Sequence, residues 1–129
     1  MIAAITIVLR LPFIAVTLHA KGQILRLDKV LLDTGSVGTV FKTIDLESMG
    51  VLLESTDVIR TMSGIGEGDE YVIEKQIDAL VVGDLYVSPF TIQMGALDYG
   101  IPMDDIVGVD FLLKAGAYVD FNTLTLSKG

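Results

Sequence analysis

The chain contains no cysteine. Disulfides, thiolate nucleophiles and cysteine-based zinc sites are therefore excluded, while the absence itself fits any compartment. Histidine is almost as scarce: His19 is the only one. A serine nucleophile needs a histidine base beside it, and no nucleophile-elbow motif is present. His19 sits among strand-forming residues and reads as structural or exposed. Basic residues are few, nine against seventeen acidic ones, which gives a net charge of −8. A phosphate backbone or an anionic membrane would be repelled, so neither nucleic acid nor membrane is an expected partner. Long apolar runs are also missing. The first eighteen residues are strongly apolar, but Arg10 and Pro12 interrupt them. A membrane span needs about 20 uninterrupted apolar residues, and a secretory signal would begin with basic residues. The segment reads as buried or interface strands, and a cytoplasmic protein is expected. The carboxylates Asp98, Asp104 and Asp105 do not have the spacing of a calcium loop. No metal and no cofactor is expected.

What is present points to one β-rich domain. The 129 residues suffice for a single core, assigned to 1–129. Half of them are hydrophobic and only 20% are charged, a globular composition that also suggests apolar surface buried between subunits. Short runs rich in Val, Ile, Leu and Thr alternate with turn residues. Strands are expected at 3–9, at 14–20 and 23–28 around Lys21-Gly22, at 30–32 and at 38–41. Further strands are expected at 57–62, 70–82, 85–87 and 90–94, then at 106–107, 117–121 and 124–126. Two short helices are expected. One covers 44–49, with Thr43 as N-cap and Gly50 beyond its end; the other covers 109–114 and is closed by Gly116.

Two stretches carry chemistry. In Leu31-Leu32-Asp33-Thr34-Gly35-Ser36 an apolar strand delivers a carboxylate into a tight turn. Gly35 permits a sharp bend, and two hydroxyls flank the acid. Alone, the run is equally compatible with an ordinary strand-end aspartate in an Asx turn. The second stretch begins at Asp105-Ile106-Val107-Gly108-Val109-Asp110-Phe111 and continues to Tyr118-Val119-Asp120-Phe121. Between them lies the glycine-rich stretch Ser63-Gly64-Ile65-Gly66-Glu67-Gly68. A dinucleotide-binding turn would need a helix after it, but 70–82 reads as strand.

Taken together, in this order, the stretches resemble the retropepsin-like aspartic peptidases, over roughly residues 14–126. The family shows Asp-Thr/Ser-Gly-Ala/Ser after apolar residues, then a flap hairpin, then two aliphatic residues and a glycine opening a short helix. The resemblance implies a mainly β, closed-barrel acid-protease fold that forms half of a two-fold dimer. It implies a peptide or protein substrate and an aspartic endopeptidase in which Asp33 of each subunit forms the catalytic pair. Thr34, Gly35 and Ser36 would support the turn, with Ser36 donating to Asp33. Ser63, Gly64, Ile65, Gly66, Glu67 and Gly68 would form the flap, with Ile65 touching substrate; no tyrosine stands at its tip. Ile106 and Val107 would build the floor of the substrate pocket. The alternative is a catalytically silent retropepsin-like module for peptide binding or dimerisation.

Overall fold

The computed structural model describes residues 2–63, 69–95 and 105–129. The apolar N-terminal run does not make one strand. It divides into β1 (Ala3–Ala4) and β2 (Thr6–Val8), which pair with different sheets. The change falls at Ile5, whose side chain is buried in the core and whose N–H donates to Leu124 O. Leu9 and Arg10 both have positive φ and form a two-residue turn into β3 (Leu11–Ala20), the geometry that matches strand twist. Lys21 and Gly22 repeat it, as the sequence suggests, and lead into β4 (Gln23–Leu32). Residues 30–32 are not a separate strand but the end of β4.

After the Asp33 turn come β5 (Val40–Lys42) and α1 (Thr43–Ser48). Lys42, not Thr43, is the N-cap, and it makes no side-chain cap; Thr43 is the first helical residue. β6 (Ile59–Ser63) and β7 (Asp69–Ile77) form an antiparallel pair. The strand expected over 70–82 breaks at Asp78, whose N–H turns away to His19 O, and resumes as β8 (Ala79–Val82). β9 (Leu85–Val87), β10 (Phe90–Gly95) and β11 (Asp105–Val107) follow. α2 (Val109–Ala115) then ends at Gly116, at φ 64. β12 (Ala117–Asp120) and β13 (Thr125–Lys128) close the chain around a turn held by the Asp120 carboxylate.

β1, β13 and β12 form a small sheet, and all other strands form a second one in the order β6-β7-β10-β5-β11-β4-β3-β8-β9, with β2 beside β3. Among the described residues this order is an open path with β6 at one edge, not the closed barrel the resemblance implies. The pairs β11–β4 and β10–β5 are parallel, whereas β11–β5 is antiparallel. Sequence-distant strands thus meet in the middle of the sheet. Alternation along the strands gives it two faces. Val30, Leu32, Ile92, Met94 and Val107 enter the main core, with Leu46 of α1 and Phe111 of α2. Phe111 meets Phe90 edge-on at 5.7 Å and anchors α2. The opposite face carries the smaller cluster of Phe13, Leu31 and Ile106.

Candidate active site

Asp33 continues directly from β4, and its N–H donates to Val107 O at 2.9 Å, extending the parallel pairing with β11 by one step. Strand alternation sets it on the face of Leu31. Gly35 N–H donates to Asp33 Oδ1 at 3.0 Å, and Ser36 N–H to Asp33 O at 3.1 Å. Locally this is an Asx turn, as the plainer reading of the motif would have it. The difference lies in what is built against the turn. Val109 N–H donates to Ser36 O at 2.8 Å. A Cβ on Gly108 would stand 2.5 Å from Gly38 O and 2.7 Å from Ser36 O. The two glycine-containing loops are therefore in backbone contact, and only glycine fits at 108.

Polar bonds lock the same junction. Thr39 is fully buried. It donates from N–H to Asp110 Oδ2 at 3.1 Å and from Oγ1 to Asp110 Oδ1 at 2.7 Å, and its Oγ1 accepts from Gly108 N–H at 3.1 Å. Asp110 Oδ1 also accepts from Phe111 N–H at 2.8 Å. Thr39 and Asp110 thus rivet the segment after the Asp33 turn to the start of α2. Sequence reasoning missed this pair; the signal was the Asp one residue into a helix that follows a glycine. Beside it opens a cleft of about 560 Å³ lined by Val37, Gly38, Arg60, Val72, Gln93 and Asp110. Its floor is the face of β6, β7 and β10 turned away from the main core.

No family model matches the chain's sequence, and no curated protein does. Among solved structures, a retropepsin-like aspartic protease from Rickettsia conorii is similar, with a TM-score of 0.67, covering 99% of this chain and 89% of that one at 14% identity. This chain has the retropepsin-like fold. Within it, the expected site residues fare differently. Asp33 is half-buried, Thr34 and Gly35 are exposed, and Ser36 is buried. The Ser36 hydroxyl does not donate to Asp33. It donates to Gly38 O at 2.8 Å, because the turn points it inward toward a backbone carbonyl. Ile106 lies on the site face, packed with Leu31 and Phe13, whereas Val107 points the other way into the main core. Neither lines the cleft. Of the flap residues, Ser63 ends β6; Gly64, Ile65, Gly66, Glu67 and Gly68 lie outside the described residues.

A second acid was given no role by the sequence reading, which set it at the head of the second stretch and among ill-spaced calcium ligands. Asp105 opens β11 and is completely buried. Its Oδ1 accepts from Lys42 N–H at 2.5 Å, and its Oδ2 has no hydrogen-bond partner. Burial pushes its carboxyl up to about 9; the Lys42 N–H opposes the rise and the nearby Asp45 charge adds to it. Its place behind the sheet, out of contact with solvent, makes it a structural acid. Among the described residues, no group of three or more acidic or histidine side chains could hold a metal ion.

Proposed function

We propose that the chain is one subunit of a homodimeric aspartic endopeptidase, with Asp33 of each copy forming the catalytic pair. The observation that carries this reading is the Asp33 turn itself: a carboxylate at a strand end, backed by Gly108 and presented beside exposed Thr34 and Gly35. Among the described residues, no second carboxylate hydrogen-bonds to it. A two-fold axis through the exposed turn supplies one, because it relates Asp33 to its own image. The retropepsin-like fold supports the same reading.

The chemistry follows from placing two like charges side by side. Both cannot ionise comfortably, so the pair holds one proton, an effect for which aspartic proteases are the usual example. The ionised aspartate accepts a proton from a water, whose oxygen attacks the scissile carbonyl carbon. The protonated aspartate donates to the carbonyl oxygen as charge builds there. The substrate lies as an extended strand across the site. Cleavage of a peptide library by the wild type and by Asp33→Asn tests the reading. The near-isosteric variant is expected to keep fold and assembly and to lose cleavage by at least about a thousandfold, since no group remains to deprotonate the water. Equal turnover by both proteins would refute it.

A further inference from the structure

Gln93 projects from β10 on the cleft face, and its Oε1 is buried without a hydrogen-bond partner. The backbone fixes its position: Gln93 N–H donates to Thr39 O at 2.8 Å, and the strand registers set it beside Val40 and Glu74. Two charged neighbours already have partners, while Thr61 and Thr91 add hydroxyls to the lining. Glu74 pairs with Arg60 at 2.7 Å. The Asp110 carboxylate accepts from Thr39 and Phe111. The lining also has apolar members, with Val72 buried and Val37 76% exposed. One buried acceptor is thus left without a partner in a partly apolar cleft, and burying an acceptor without a donor is costly.

We infer that Gln93 sets the specificity of this cleft, selecting a substrate side chain with an apolar stem and a terminal N–H donor: Asn, Gln, Lys or Arg. This rests on the peptidase reading for the nature of the substrate. A hydrocarbon side chain fills the space between Val37 and Val72 but leaves Oε1 unpaired. A carboxylate sets acceptor against acceptor and adds charge beside Asp110. Only a donor completes the site, and a site built around a missing hydrogen bond discriminates more sharply than one built on shape alone.

The experiment uses peptide pools fixed at one position at a time as Asn, Gln, Lys, Arg, norleucine, Glu or Asp. Cleavage by the wild type and by Gln93→Leu is compared. Binding of the same pools to ¹⁵N-labelled Asp33→Asn protein is followed through the Gln93 side-chain amide resonances. At one position, donor pools should be cleaved and bound about tenfold better than norleucine and should shift the Gln93 amide. Gln93→Leu should erase or invert that order while still cleaving the norleucine pool. Absence of cleavage by the wild type, with donor-selective binding intact, would overturn the peptidase reading and leave Gln93 as the selector. Preference for norleucine or carboxylates at every position, an unshifted Gln93 amide with all pools, or an unchanged preference in Gln93→Leu would overturn the inference.

Discussion

Asp105 shows what one buried side chain does to stability. Above its ordinary value of 3.8 an unfolded chain releases this proton, while the folded chain holds it until pH nears 9. The folded state therefore binds more protons across that window, and stability falls as pH rises through it. Asp105→Asn retains an oxygen for the Lys42 N–H and has no proton to lose. It should be more stable than the wild type at pH 7, by up to about 4 kcal/mol, with a flatter dependence between pH 4 and 9 in thermal melts. A wild-type melting temperature that climbs over that range would contradict this. Gly108 makes the opposite case. Gly108→Ala forces a methyl group onto two backbone carbonyls, which cannot swing aside as a side chain would. We expect a loss of about 1–3 kcal/mol in denaturant titrations, together with loss of the proposed cleavage, because the same carbonyls shape the Asp33 turn. Neither effect was legible in the sequence: nothing in its spacing marked Asp105 as buried, and the space around Gly108 depends on residues 36–38.

At the scale of elements, β6 with β7 forms one edge of the sheet, and a half-buried ion-pair cluster helps tie it down. Lys75 of β7 meets Asp57, in the loop before β6, at 2.7 Å and Glu54 at 3.5 Å, and the Lys75 and Asp57 side chains are only 10% and 12% exposed. The Lys75 hydrogen bond, followed by the Glu54 N–H, holds the Asp57 carboxyl below its usual range. Its contribution is thus present at neutral pH and lost as pH falls below the ordinary aspartate value. Lys75→Met should quicken amide exchange in β6, by roughly tenfold, and leave the β3–β4 ladder unchanged. Uniform acceleration across the molecule would mean that the pair supports global stability rather than this edge. The Lys21-Gly22 hairpin and α2 were readable from turn residues and apolar spacing, whereas the Leu9-Arg10 turn, with neither glycine nor asparagine, was not. Breaks such as Ile5 and Asp78 were not, since each arises where a backbone N–H bonds a partner distant in sequence.

For the whole molecule, the proposed dimer carries −16, twice the subunit's −8. That repulsion opposes assembly and is relieved by salt or by protonation of carboxylates. Melting temperature should rise with protein concentration if folding is coupled to formation of the proposed dimer. Cleavage should be faster at mildly acidic pH than at pH 8, since the proposed mechanism needs one proton on the aspartate pair. Raising enzyme concentration separates the causes: it restores a dissociated dimer but not a missing proton. A monomer in sedimentation at high concentration, or a rate climbing from pH 5 to 9 at saturating enzyme, would contradict the paired-aspartate mechanism.

The sequence by itself determined what is local. Composition and turn residues specified a β-rich domain, Asp33 was delivered into its turn by apolar Leu31 and Leu32, and Gly116 ended α2. These follow from propensity and backbone freedom, which act between neighbours. Tertiary structure alone decided what depends on residues brought together from afar. It paired β4 with β11 in parallel and, among the described residues, ordered the sheet as an open path. It turned Ser36 toward Gly38 and Val107 into the core, riveted Thr39 to Asp110 across 71 positions of sequence, and left Gln93 Oε1 without a donor. Burial and hydrogen-bond satisfaction are properties of a surrounding volume, and no window of sequence contains that volume.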